Sequence, residues 1–546
     1  MTISNRFRRA LLAAALTGAV AGDALAQPVI KAPAGPVQGV EGDAVTVYKG
    51  LPYAQAPVGP LRWKPPVAVP AWTQTWVADE FGAACPQPKL PADSIYAREF
   101  PKVSEDCLYL NVWAPKDAEA AKKAPVMVWI HGGALMGGAA HADYFDGAAL
   151  AERGIVVVSI NYRVGVLGYL AHPELSAESA DGISGNYGLL DQVHALKWVR
   201  DNIASFGGDP GNVTIVGESA GGLSVIYLMA SPQARGLFHK AVAQSGYMTS
   251  TPELRSSSHG DVPAESVGRK LAEELKVDLA GLRKMDAMEL VSAASDKHYI
   301  PSGTVDGKVL TRQLIDTFNR GEQAPVPLLA GFNDGEIRTL RFLAPPPPAS
   351  AKEYEATIRA RYGDLADEFL RQHPSSNLDE SVQTAARDAI YGWTAENLVR
   401  KQTELGKPAY FYHFDHGYRA TREANLHAFH AAELPFIFGT FDLTPAAWPR
   451  PPLTPEHAAF GEAMSQYWVS FIRTGQPKAE GAAQWLPYGK QRNYMAFEQA
   501  PRAARHLAPG MFELNEEVVC RRAKAGNVPW NWNVGIRAPA TIPPKC

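Results

Sequence analysis

The stretch Phe206-Gly-Gly-Asp-Pro-Gly-Asn-Val-Thr-Ile-Val-Gly-Glu-Ser219-Ala-Gly-Gly222 carries a β-branched run, Val213 to Val216, directly into a Gly-x-Ser-x-Gly turn. Gly217 and Gly221 flank a turn too tight for side chains, and the strained backbone between them lifts the Ser219 hydroxyl clear of a sheet and towards a base. The bare five-residue pattern is weak, because Gly and Ser are common residues. Its flanks strengthen it: an apolar strand before it and a small-residue, helix-compatible run from Ala220 to Met229 after it supply the context that a nucleophile elbow needs.

Working upstream, Ala124 to Ile130 and Ile155 to Ile160 read as further buried strands, and Gly188 to Ala204 as an amphipathic helix. Strands alternating with helices predict a mostly parallel sheet covered on both faces. Downstream of the four-proline run Pro345 to Pro348 the pattern becomes more helical, at Ala351 to Arg361, Ser381 to Lys401 and Pro455 to Thr474. Those helices are interrupted by the strand-like Ala409 to Phe414. They read as insertions and late strands of the same unit, so residues 27–546 are expected to form one domain.

The chain has 546 residues, with 20% charged, 46% hydrophobic and a formal net charge of -3. Such a balance excludes a disordered chain and predicts no general attraction to nucleic acid or anionic lipid. Residues 1–26 read as a signal peptide. Arg6, Arg8 and Arg9 precede an apolar, Ala-rich stretch from Ala10 to Ala21, and Ala24-Leu25-Ala26 suits cleavage before Gln27. The apolar run is too short for a stable membrane span. Removing residues 1–26 takes three arginines and Asp23 and moves the formal charge from -3 to -5. A secreted or periplasmic protein is expected. The four cysteines then have an oxidising compartment in which to pair; nearness in sequence favours Cys85 with Cys107 and Cys520 with Cys546, out of three possible pairings.

A nucleophilic serine needs a base, a group that orients the base, and donors for the oxyanion. The run Val126-Met-Val-Trp-Ile130 ends in His131-Gly132-Gly133-Ala134, a loop able to aim backbone N–H groups at one point.

With these residues in view the chain resembles the type B carboxylesterase family of the α/β-hydrolase fold, which includes acetylcholinesterase and many bacterial esterases. The likeness spans most of the chain after residue 26. It is carried by Lys49-Gly-Leu-Pro-Tyr-Ala54, Leu61-Arg-Trp-Lys-Pro65, Ser104-Glu-Asp-Cys-Leu-Tyr-Leu-Asn-Val-Trp113, Asn161-Tyr-Arg-Val-Gly165 and Gly185-Asn-Tyr-Gly-Leu-Leu-Asp-Gln192. The resemblance implies an α/β-hydrolase fold, a large and mostly parallel central sheet flanked by helices, with helical insertions. It also implies a Cys85–Cys107 disulfide, the ion pairs Arg62–Glu105 and Arg163–Asp191, and an oxyanion hole built from the N–H groups of Gly133, Ala134 and Ala220. For the acid it points to Glu336 in Leu328-Leu-Ala-Gly-Phe-Asn-Asp-Gly-Glu336, with Asp334 as competitor because the family's Asp-Glu-Gly stands here as Asp-Gly-Glu. Asp306 matches a different, structural turn. The base is His430 in His430-Ala-Ala-Glu-Leu-Pro-Phe-Ile-Phe-Gly439, with His427 as decoy.

The expected reaction is ester hydrolysis through an acyl-enzyme on Ser219, with His430 as general base and Glu336 orienting it. No metal or organic cofactor is implied, since His427, His430 and Glu433 lack a further ligand. The expected partner is a small-molecule ester, with no nucleic acid and no membrane span. Pro86 to Asp106 holds no Trp, which argues against choline esters. Arg338 and Arg341 follow Glu336 closely, and this segment with Ala344 to Pro348 is similar to bacterial fumonisin esterases, which remove tricarballylate groups; that likeness implies bulky or polycarboxylate esters bound by one of these arginines. Two alternatives stay open: a serine amidase or peptidase on the same scaffold, and a non-catalytic cholinesterase-like binding protein.

Overall fold

The structure is a computed structural model describing residues 29–116, 123–452, 454–539 and 546; the expected signal segment 1–26 lies outside them. Among the described residues eleven strands form the main sheet. In chain order they are β1 (Val40–Glu41), β2 (Val45–Pro52), β3 (Tyr109–Pro115), β4 (Ala124–Ile130), β5 (Val156–Ile160), β6 (Gly208–Glu218), β7 (Lys240–Gln244), β8 (Leu328–Asn333), β9 (Ala409–Phe414), β10 (Asn493–Phe497) and β11 (Pro501–Arg505). Across the sheet they run β11-β10-β9-β8-β7-β6-β4-β5-β3-β2-β1. The centre is parallel from β5 through β4 and β6 to β10, and antiparallel strands close both edges.

All seven residues of β4 and all five of β5 are buried, as strands covered on both faces must be. Successive side chains feed opposite layers: Val126, Val128 and Ile130 join one hydrophobic cluster, and Met127 and Trp129 the other. The first layer is built on α1 (Tyr187–Asn202) and α2 (Ala220–Ala230). The second holds Phe460, Met464, Trp468 and Phe471 of the helix Pro455–Thr474. This is the α/β-hydrolase fold with its helical insertions.

Two elements differ from their sequence-based bounds by more than two residues. β6 begins at Gly208, well before Val213, because Gly208 pairs with Ala124 of β4; the register breaks over residues 209–212 and resumes at Val213, and β7 joins only from Thr214, so Pro210 falls where no ladder position needs its donor. The expected helix Ser381 to Lys401 is α3 (Leu378–Arg387), a wide turn over Asp388–Gly392, and a second helix Trp393–Glu404. Asn531 Nδ2 donates to the Ala389 carbonyl at 3.0 Å, an outside donor for an oxygen that a regular helix keeps for itself.

Disulfides join Cys85 to Cys107 and Cys520 to Cys546. The Arg62–Glu105 and Arg163–Asp191 pairs both form. Asp191 is fully buried and takes Arg163 Nε at 2.8 Å and Nη2 at 2.7 Å, anchoring the segment after β5 to α1. Trp530 packs against Trp393 in the core, whereas Trp532 is partly exposed.

The chain passes from β4 outward to β5 and then returns to the other side of β4 as β6. In an open parallel sheet such a reversal leaves a crevice beyond the carboxyl ends of the two strands. The register pairs Ile130 with Gly217, so His131-Gly132-Gly133 and Ser219 emerge side by side there.

Candidate active site

Ser219 sits at φ 58°, ψ -122°, between β6 and the first residue of α2. A Cβ on Gly217 would lie 2.4 Å from the Gly221 carbonyl carbon, and one on Gly221 would lie 2.0 Å from the Ile130 oxygen. Only glycines allow helix, strand and the β4 exit to approach so closely. The serine therefore takes the left-handed φ that a side chain ordinarily avoids, and it is the half-exposed member of an otherwise buried run.

Beside it, Gly133 (φ 111°), Ala134 (φ 56°) and Leu135 (φ 57°) turn the backbone sharply, closed by Met136 N donating to the Gly133 carbonyl at 2.9 Å. Gly133 and Ala134 are exposed, and their N–H groups find no acceptor among the described residues. Ala220 opens α2, where an N–H has no acceptor within the helix. His131 stacks on Tyr162, whose hydroxyl donates to the His131 carbonyl at 2.8 Å, and this holds the loop in place. Burial pushes the His131 imidazole down to about 4, so it is neutral near pH 7.

Glu336 follows β8 on a short 3₁₀ turn and is fully buried. Its Oε1 accepts the Asn333 N–H at 2.8 Å, and its Oε2 is hydrogen-bonded to His430 Nδ1. The loop that carries His430 is tied to the strand ends at several points. Gly335 N donates to the Ala428 carbonyl at 2.8 Å, and Asn333 Nδ2 donates to the Phe429 carbonyl at 2.9 Å and to Glu433 Oε2 at 2.6 Å. Glu433 Oε1 in turn accepts from Gln244 at the end of β7, at 3.0 Å. Tyr96, in the Cys85–Cys107 loop, donates its hydroxyl to the His430 carbonyl at 2.9 Å.

The other imidazole nitrogen, Nε2, faces the elbow and lies 3.1 Å from Glu218 Oε1, the carboxylate just before Ser219. Among the described residues no hydrogen bond joins His430 to the Ser219 hydroxyl. Burial raises the Glu218 carboxyl to about 8, with His430 opposing that shift. Burial also opposes a charge on His430, but Glu218 and Glu336 outweigh it and raise the imidazole to about 9.

The competitors are engaged elsewhere. Burial works against the Asp334 carboxylate, yet Arg387 at 2.6 Å and His413 at 3.5 Å hold it well below the usual range. Asp306 accepts from Asn186 and from three backbone N–H groups of its own turn. His427 is half-buried two residues before Phe429. No group of three metal-ligating side chains occurs among the described residues. Arg338 is bound to Glu380 at 2.6 Å and Arg341 to Asp379 at 2.7 Å, both carboxylates in the first turn of α3. Glu218 carries a sequence signal in its place directly before the serine, whereas nothing in the sequence around Tyr96 marks it for the site.

The sequence model of the carboxylesterase family matches residues 26–513. Fumonisin B1 esterase of Sphingopyxis macrogoltabida is 35% identical over 478 residues, covering 85% of each chain. Para-nitrobenzyl esterase of Bacillus subtilis is 34% identical over 465 residues, covering 84% of this chain and 92% of that protein. Among solved structures, a PNB esterase superposes with a TM-score of 0.78 at 32% identity, covering 90% of this chain and 99% of that one. A Geobacillus stearothermophilus carboxylesterase superposes with a TM-score of 0.75, also at 32% identity, over 89% of this chain and 99% of its own.

Proposed function

The chain belongs to the carboxylesterase family and is a serine hydrolase of ester bonds, and from that premise we propose that Ser219, His430 and Glu336 are its catalytic triad. The observation that carries this reading is the Glu336–His430 bond, which leaves Nε2 of the imidazole against Glu218, the residue next to a serine held at φ 58°. Nε2 leaves Glu218, takes the Ser219 proton as the hydroxyl attacks the ester carbonyl, and returns it to the departing alcohol. Water then cleaves the acyl-enzyme by the same route. Glu336 holds the tautomer with the proton on Nδ1 and stabilises the imidazolium. The N–H groups of Gly133, Ala134 and Ala220 receive the oxyanion, and the absence of competing acceptors at Gly133 and Ala134 supports this role. Residues 27–546 act as one α/β-hydrolase unit, exported by residues 1–26; the two disulfides support an oxidising destination. The identity to a fumonisin B1 esterase supports bulky or polycarboxylate esters as substrates.

Labelling with a fluorophosphonate tests the nucleophile. One adduct is expected, on the peptide containing Ser219, and an adduct on another serine removes the proposal.

Glu218 makes a second, separable expectation. The base works when neutral, so the acid limb of kcat/KM lies at the raised His430 value, and activity rises as pH climbs through it. Glu218→Gln removes one of the three carboxylates responsible, Glu218, Glu336 and Glu433, and the limb is expected to move down by about one pH unit. A pH profile of a neutral ester checks this; a limb that stays or moves up contradicts it.

A further inference from the structure

Most buried or half-buried arginines of this protein face carboxylates: Arg62 meets Glu105, Arg163 meets Asp191, Arg387 meets Asp334 and Asp388, and Arg521 meets Asp364 and Glu517. Arg98 does not. It lies in the Cys85–Cys107 loop with its guanidinium carbon 4.3 Å from the Tyr144 ring centre and 5.4 Å from that of Phe145. Among the described residues it has no ion pair and no hydrogen bond. Its Nε is sealed from solvent without an acceptor, while the two terminal nitrogens are not sealed. A ring face stabilises the positive charge but leaves the N–H donors without an oxygen acceptor. An unmet fork of this kind matches a planar carboxylate, which takes two parallel N–H bonds.

Its position points the same way. Tyr96, two residues earlier, is bonded to the His430 carbonyl and lies 2.6 Å from Thr339 Oγ1. Phe145, under the guanidinium, packs on Trp129 of β4, the strand that leads to Gly133. The charge of Arg98 acts on Glu218, next to Ser219, and on His131, at the start of the oxyanion loop. Glu218 does not consume it: no ion pair joins the two, and the Glu218 oxygen nearest His430 is turned to the imidazole. Burial lowers the guanidinium only to about 10, so it is charged at neutral pH. Arg338 and Arg341, the two arginines that the sequence brings forward for this purpose, are already occupied by Glu380 and Asp379.

We propose that Arg98 is the subsite for a free carboxylate on the ester substrate, so that the enzyme selects half-esters of dicarboxylic and polycarboxylic acids over fully esterified ones. The inference rests on the Ser219 reading above and deepens it by naming the charged group beside the scissile ester. The test compares monoethyl adipate with diethyl adipate by ethanol release, in the intact chain and in Arg98→Gln and Arg98→Lys. Arg98→Gln is expected to lower the ratio of kcat/KM for the monoester to that for the diester at least about tenfold. Arg98→Lys, which keeps the charge but loses the fork, is expected to lower it less. Adipate titrated calorimetrically into the same proteins gives a readout independent of turnover, with affinity for Arg98→Gln expected to fall by a similar factor. An unchanged ratio, or equal adipate affinity in all three proteins, overturns the proposal. Where Arg98→Gln does not fold, the fall in Arg98→Lys decides alone. Loss of diester turnover and of fluorophosphonate labelling in the unaltered chain would instead count against the triad, while adipate affinity still judges Arg98.

Discussion

Ser219→Ala is expected to lower kcat/KM for any ester by about a millionfold, leaving only what oriented N–H groups and substrate binding supply over water, roughly a thousand- to ten-thousandfold. The magnitude follows from the covalent route: without a hydroxyl at the elbow there is no acyl-enzyme, and a water would have to be held where nothing holds it. The fold should be untouched, since Ser219 contributes no side-chain hydrogen bond to the packing and its backbone bonds, to the Gln244 carbonyl at 3.0 Å and from Leu223 N at 2.9 Å, survive in alanine. Alanine tolerates φ 58° no worse than serine in kind, and neighbouring Ala134 adopts φ 56°. Steady-state kinetics on a neutral ester, with near-ultraviolet circular dichroism as the folding control, read the effect. A variant that keeps even a hundredth of the activity ends the covalent mechanism.

Glu336→Gln is expected to cost about a thousand- to ten-thousandfold in kcat with little change in KM. The side chain is fully buried, and its Oε1 is already committed to the Asn333 N–H, so the glutamine oxygen is forced to that position and its amide NH₂ is turned towards His430 Nδ1. A donor facing Nδ1 drives the imidazole proton to Nε2, the wrong tautomer for a base, and it removes the charge that stabilises the imidazolium. Asp334→Asn is the necessary companion. Asp334 sits between Arg387 and His413, so its loss should weaken local packing without reversing the tautomer. If Asp334→Asn loses the greater part of kcat while Glu336→Gln retains it, the acid has been assigned to the wrong residue.

Several parts of the molecule were legible in the chain because they are local. The strand Ala124–Ile130, the strand Ala409–Phe414 and the helix Pro455–Thr474 have the bounds that their sequence patterns predict. In each, a run of apolar residues or a capped, Pro-initiated helix specifies the element without help from distant residues. The glycine spacing around Ser219 is of the same kind, since only a residue without Cβ clears the 2.0 to 2.4 Å approaches at Gly217 and Gly221. Where pairing or an outside donor intervenes, local reading stops short. β6 starts five residues before its β-branched run because Gly208 pairs with Ala124 of β4, and the wide turn that separates α3 from the next helix lies where Asn531 claims a carbonyl.

The chain alone determined the α/β class and the serine elbow, since each depends on residue type at short spacing, and its resemblance to a family pointed to an acid and a histidine further along. Which of Glu336 and Asp334 meets His430, which arginines are already neutralised and which one is left open were decided by folding. Those outcomes depend on which charges arrive within 3 Å of one another from segments tens to hundreds of residues apart. At such range a carboxylate's partner is selected by packing and desolvation, and nothing in its immediate sequence records the choice.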